Sequence, residues 1–139
     1  MKVVFDTNVL VSGLLWRGAP YRCLLAVRAG LADLVISQPI LEELRRVLIE
    51  KFHHDDAEAD AAVTFVRESA TLVQIPGVLQ AVKDDPEDDK FVETAQVAGA
   101  TYVVSGDRHL LALGIVAGVH VIGPRAFLDM LSRTDPHSG

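Results

Sequence analysis

Cysteine is nearly missing from this chain: Cys23 is the only one among 139 residues. That excludes an internal disulfide and any cage of thiolates around a metal. Long apolar runs are missing too, and none approaches the roughly 20 residues that a membrane span needs. At the N-terminus Lys2 leads straight into an apolar run that Asp6 interrupts, which is not the pattern of a secretory leader. A cytoplasmic protein with no membrane partner is therefore expected. Net positive charge is also lacking: 13 Lys and Arg stand against 19 Asp and Glu, a formal charge of −6. This excludes a general polyanion binder that works through basic patches. It leaves open an enzyme of nucleic-acid chemistry whose clustered acids are neutralised by a divalent cation. There is no internal repeat, low-complexity segment or linker. The length suits a single core, and one domain over residues 1–132 with a flexible tail over 133–139 is expected.

What is present is an alternation of short β-branched runs and helical segments. Lys2–Asp6 reads as a buried strand, and Thr7–Leu15 as a turn and a first helical stretch. Arg17-Gly18-Ala19-Pro20 breaks it, and Tyr21–Ala29 reads as a second helix stopped by Gly30. Leu34–Ile36 is a strand. Ser37 is a good N-cap, Pro39 fits a first turn, and a helix follows to about Phe52. Ala57–Ala70 is helical, with Ala61, Ala62, Phe65 and Val66 expected on one face. Thr71–Ile75 is a strand, and Val78–Val82 is either a short turn or an irregular connection. Phe91–Ala98 is a helix, Thr101–Val104 a strand, Arg108–Leu113 a short helix, Val119–Ile122 the last strand, and Gly123-Pro124 opens a final helix through Leu131. Such alternation predicts an α/β fold: a largely parallel, five-stranded sheet with helices on both faces.

The acids fall at informative places in this pattern. Asp6 and Asp107 each follow a buried strand, at the sheet edge where chemistry gathers in open α/β folds. Asp88 and Asp89 begin the helix that leads into the second of these strands, where the helix macrodipole favours negative charge. At about 100° per residue, Ile40, Leu44 and Val47 point to the core. Glu43 borders that apolar stripe, whereas Glu42 points away. Carboxylates gathered at one edge repel one another without a cation, and hard divalent ions such as Mg²⁺ or Mn²⁺ prefer oxygen ligands. Each acid also has a plainer reading. Asp6 and Asp107 suit helix caps, the Asp84–Asp89 run suits a solvated loop, and Glu42, Glu43, Arg45 and Arg46 suit a solvent face.

Four segments in order resemble one known family. Phe5-Asp6-Thr7-Asn8-Val9-Leu10 is similar to the opening of a PIN domain. Ser37–Leu44, Asp85–Phe91 and Val103–Leu111 resemble that family's later acidic segments. The pattern spans residues 2 to about 131 and is closest to the bacterial and archaeal branch that supplies toxin components of toxin–antitoxin pairs. The resemblance implies a three-layer α/β/α sandwich and a Mg²⁺- or Mn²⁺-dependent ribonuclease. Asp6, Glu43, Asp88 and Asp107 match the family's acidic quartet, with Asp89 the alternative third acid and Asp85 one turn earlier. Asn8 matches a residue that braces the first aspartate, and Ser105 stands where a serine or threonine lies near the metal. Arg17, Arg22, Arg45 and Arg108 are candidates for phosphate contacts by charge and by nearness to the acidic segments. The resemblance further implies an RNA substrate, an antitoxin that covers the acidic groove, and a homodimer.

Three rivals remain. A dehalogenase-type hydrolase also begins with a strand ending in aspartate, but wants a second aspartate where this chain has Asn8. A phospho-receiver wants a lysine after its last strand, where this chain has Gly123-Pro124-Arg125. A PIN-like module could also bind RNA or a protein without cutting.

Overall fold

The computed structural model describes residues 1–82 and 85–134. Strand β1 (Lys2–Phe5) lies inside the sheet, with Val3, Val4 and Phe5 essentially inaccessible. Successive residues of a strand face opposite sides, so helices must cover both faces of β1. It pairs in parallel with β2 (Asp33–Ser37) on one side and β4 (Tyr102–Val104) on the other. Strand β3 (Ala70–Val73) extends the sheet beyond β2, and β6 (Val119–Ile122) extends it beyond β4. A two-residue strand, β5 (Ile115–Val116), closes that edge antiparallel to β6. The order is β3-β2-β1-β4-β6-β5.

The sheet thus has six strands where five were expected. The extra strand is the arm of a tight hairpin. Gly114 and Gly118 both hold left-handed φ values, 69° and 82°, and Ala117 between them is at 49°. A two-residue arm carries no alternation for a sequence reading to detect.

Helices α1 (Thr7–Leu15) and α2 (Ala19–Arg28) connect β1 to β2, and α3 (Gln38–Glu50) and α4 (Asp56–Glu68) connect β2 to β3. Ile40, Leu41, Leu44 and Leu48 form the buried stripe of α3. Ser37 precedes α3 without capping it through its side chain; its hydroxyl pairs instead with Thr94 Oγ1 at 2.8 Å. On α4 the buried positions are Ala59 and Val66, while Ala61 and Phe65 are exposed. The inward stripe is Ala59, Ala62, Val63 and Val66, at i, i+3, i+4 and i+7, so Ala62 and Val66 face inward as expected and Ala61 and Phe65 fall outside the stripe. Helix α5 (Asp89–Ala98) packs across β1, β2 and β4. After β4 come α6 (Arg108–Leu113) and, beyond β6, α7 (Pro124–Thr134). Phe127 of α7 meets Phe5 edge-on at 5.7 Å. Helix α7 runs to Thr134, so residues 133 and 134 of the expected tail are helical, and residues 135–139 lie outside the described residues.

The stretch 78–82 is an irregular connection, and α5 holds it in place. The buried Glu93 accepts from the backbone N–H groups of Gly77 (3.1 Å), Val78 (3.1 Å) and Leu79 (3.3 Å). One turn earlier, Asp89 Oδ1 accepts from Ala81 (2.9 Å) and Val82 (2.7 Å). A segment without secondary structure must satisfy its amides somehow, and two carboxylates of one helix do so here.

Gly13 marks the closest helix approach. A Cβ there would come 2.5 Å from Leu24 Cδ1 and 3.0 Å from the carbonyl oxygen of Pro20. The side chain can turn away; the carbonyl cannot. Gly13→Val is expected to destabilise the protein by about 2 kcal/mol or more, read as a lower urea midpoint with unchanged slope.

Candidate active site

In the strand order β3-β2-β1-β4-β6, connections run one way from β1 and then return to start β4 beside it. The crevice between β1 and β4 is the topological switch point, where open α/β sheets place their ligands. Phe5 is level with Val104 across this pair, and the Asp6 amide donates to the Val104 carbonyl at 3.0 Å. The register sets Asp6 and Ser105 side by side just past the strands.

Asp6 is buried and both its oxygens are engaged. Oδ1 accepts from the Val9 amide at 2.8 Å, as an N-cap of α1, and Oδ2 accepts from the Ser105 hydroxyl. Burial pushes its carboxyl above the ordinary range and the nearby Asp107 adds to this, while the bonds from Ser105, Val9 and Gly106 work against it. Ser105 Oγ in turn accepts from the Asp107 amide at 3.0 Å, so one buried hydroxyl joins two of the acids. Asp107 also caps α6, accepting from the His109 amide at 2.8 Å. A cap leaves a carboxylate with free lone pairs, so the capping reading and the cleft reading hold together for both aspartates.

A 3₁₀ turn over Pro86–Asp88 closes through Asp88 N to the Asp85 carbonyl at 3.0 Å and presents the third group. Asp88 lines the cleft. Its neighbour Asp89 does not, since it faces the 81–82 backbone. The carboxyl of Asp88 is pushed up to about 7, first by burial, then by the charges of Asp85, Asp107 and Asp6, with Lys90 opposing. One oxygen each of Asp85, Asp88 and Asp107 lies within 4.8 Å of the others.

Glu43 comes from α3 on the facing wall. Its Oε1 accepts from Thr7 Oγ1, and its Oε2 lies 2.7 Å from Lys90 Nζ. The whole forms an open cleft of about 470 Å³ whose lining includes Asp6, Asn8, Glu43, Asp88 and Asp107, with Arg46 and Lys51 as its cations. Oxygen donors crowded without matching positive charge fit a hard divalent ion.

The structure therefore brings Asp6, Glu43, Asp88 and Asp107 to one cleft, with Ser105 beneath them. Other expected residues lie elsewhere or do something else. Asn8 lines the cleft, but the hydrogen bonds that hold Asp6 come from Ser105 and backbone amides. None of Arg17, Arg22, Arg45 and Arg108 lines it. Arg45 pairs with Asp60 at 2.8 Å and Asp56 at 3.2 Å on α4, and Arg17 lies over the Tyr21 ring. Arg46, three residues after Glu43 and on its side of α3, reaches the cleft instead. Thr7 and Lys90 were missed. Both sit inside the motif segments, but their partner Glu43 lies on another element, and only the fold brings them to it.

Parallel strands whose switch point gathers oxygen donors define an α/β protein with an acidic, cation-seeking cleft. The match of the PIN domain family model to residues 2–109 gives the family. The chain belongs to the PIN domain family, whose members are generally nucleases that use divalent metals. Solved structures agree on the fold. PAE2754 from Pyrobaculum aerophilum is 18% identical, with a TM-score of 0.65 over 96% of this chain and 91% of that one. VapBC2 from Rickettsia felis, bound to a DNA fragment from their promoter, is 11% identical, with a TM-score of 0.64 over 88% of this chain and 98% of that one. No protein of curated function matches the chain.

The raised Asp88 carboxyl has a consequence for stability. A carboxyl whose folded-state pKa exceeds its unfolded value binds its proton more tightly when folded. Its contribution is fully present below the ordinary value, near 4, and is lost as pH rises through about 7. In chelator, the wild type is expected to lose stability between pH 4 and 7, and Asp88→Asn to flatten that loss. Urea midpoints across this range check it.

Proposed function

We propose that this protein is a divalent-metal-dependent endoribonuclease and the toxin component of a toxin–antitoxin pair. The observation that supports this best is the convergence of Asp6, Asp88 and Asp107 at the switch point, with the Asp88 carboxyl pushed up by burial and by the acids around it. These three aspartates would hold the ion, with Glu43 beside them. Bound Mg²⁺ or Mn²⁺ supplies an activated water and offsets charge on a scissile phosphate.

The chain's own residues do the rest. Ser105 and the first amides of α1 fix the direction of the Asp6 carboxylate, so it needs no reorganisation when a cation arrives. Asp107 is fixed by the same hydroxyl through its amide. Arg46 and Lys51, on the α3 side of the cleft, are the groups placed to face phosphates of a bound strand. With a net charge of −6, affinity for RNA rests on such local cations rather than on the whole surface. An aspartate nucleophile is disfavoured: a buried Asp6 with both oxygens engaged is poorly placed to attack.

The partner reading draws on the family resemblance and on the fold shared with VapBC2, a complex with DNA from its own promoter. The antitoxin would cover the open acidic cleft. Native gel filtration of the protein from its own cell distinguishes such a complex from a homodimer.

Purified protein with Mn²⁺ is expected to cut single-stranded or structured RNA, and chelator to stop it. Asp6→Asn and Asp88→Asn should each lower cleavage by at least about 100-fold, since even outer-shell changes around metal sites cost 10–100-fold. Equal behaviour of wild type and Asp6→Asn across metals and substrates would sink the nuclease reading and leave a non-cleaving module. Arg46→Ala should weaken RNA binding and reduce its salt slope by about 1.

A further inference from the structure

Among the described ion pairs, Lys90–Glu43 is the one with both side chains largely withdrawn from water: 13% and 16% exposed, 2.7 Å apart. The pairs of Arg45 with Asp56 and Asp60 are 40% exposed on the arginine side and more on the acids. Lys90 also donates to the Glu87 carbonyl oxygen and lies over the Phe91 ring at 4.8 Å. The Glu87 carboxylate, 3.6 Å away and 76% exposed, adds little. The ammonium is therefore held at a fixed spot beside Glu43, on the outer flank of the acidic cleft.

Glu43, like Asp6, has a donor at each oxygen, but here one of the two is a cation: Thr7 Oγ1 donates to Oε1 and Lys90 to Oε2, with Arg46 3.7 Å from the same Oε2. The aspartates differ: no cation is within ion-pair distance of Asp6, Asp88 or Asp107 among the described residues, and their mutual repulsion is unrelieved apart from the more distant Lys90. Two-metal hydrolytic sites place their ions roughly 3.5–4 Å apart across such a carboxylate set. A second ion held by Glu43 would have to displace that ammonium from a half-dry pair.

We propose that Lys90 stands in for a second metal ion at this cleft: its ammonium takes the place beside Glu43 that a second divalent ion would take, so the cleft binds one ion, at the aspartates. This rests on the metal-dependent reading given above and sharpens it to a stoichiometry. It makes Lys90 a positioning residue for Glu43.

The test is Mn²⁺ titration calorimetry on the whole chain without RNA. Wild type is expected to bind one Mn²⁺ per chain, and Lys90→Arg and Glu43→Gln one each. Lys90→Met leaves Glu43 Oε2 with only the longer, exposed Arg46 contact and is expected to bind two, falling back to one in the Lys90→Met, Glu43→Gln double variant. Two ions in the wild type overturn the proposal, and so does one ion in a folded Lys90→Met. Circular dichroism checks folding, and Lys90→Gln serves if the methionine variant does not fold. Cleavage is scored separately. A chain that binds one ion and cuts no RNA loses the nuclease reading and keeps this one. A chain that cuts RNA with two ions does the reverse, and a chain that binds no ion loses both.

Discussion

The constraint on which this structure depends is electrostatic: carboxylates stand close together at the end of a parallel sheet with too little positive charge around them. Folding gains nothing from that crowding. Burial and three neighbouring acids push the Asp88 carboxyl up to about 7, and burial raises Asp6 as well. The apolar sheet behind them absorbs the cost. Val3, Val4, Phe5, Val103 and Val104 are all but inaccessible, and Phe5 is locked against Phe127. A rigid hydrophobic layer carries acids at its edge that, considered alone, would drive the edge apart.

Hydrogen bonding is what lets the acids be crowded and still point in fixed directions. Ser105 serves Asp6 with its proton and the Asp107 amide with its lone pair. Amides at the starts of α1 and α6 serve the same two aspartates. Backbone groups that every helix leaves unpaired at its N-terminus thus become fixtures of the cleft. Local structure and chemistry draw on the same atoms here. For that reason a residue-by-residue choice between cap and ligand was the wrong question to put to the sequence.

Much of this was legible before any coordinates. The alternation of β-branched runs and helical segments carried the parallel sheet, and the buried runs put the carboxyl ends of β1 and β4 on one edge; that the two strands are neighbours came from the topology. Helical phase separated Glu43 from Glu42, because Ile40 and Leu44 fixed the inward direction of α3. The same rule was not carried through to the arginines. Arg46 shares the Glu43 side of that helix, and Arg45 is turned to Asp60 on α4. Contacts between elements were out of reach. Thr7 and Glu43 are 36 residues apart, and nothing local in either announces the other. The hairpin arm β5 is too short for a pattern, and the inward stripe of α4 runs through Ala59, Ala62, Val63 and Val66, which an alanine-rich helix with alanines on several sides does not single out.

The doubled aspartate at the head of α5 has a bearing on how this chain can vary. Successive helical residues point about 100° apart. Asp88 consequently looks into the cleft while Asp89 holds the amides of Ala81 and Val82. The two are not spare copies of one function. A substitution at either position has no backup next door, and a one-residue insertion or deletion ahead of Phe91 would exchange tether and cleft group in a single step. Drift in this segment is therefore confined to changes that preserve its length, even where the composition looks redundant.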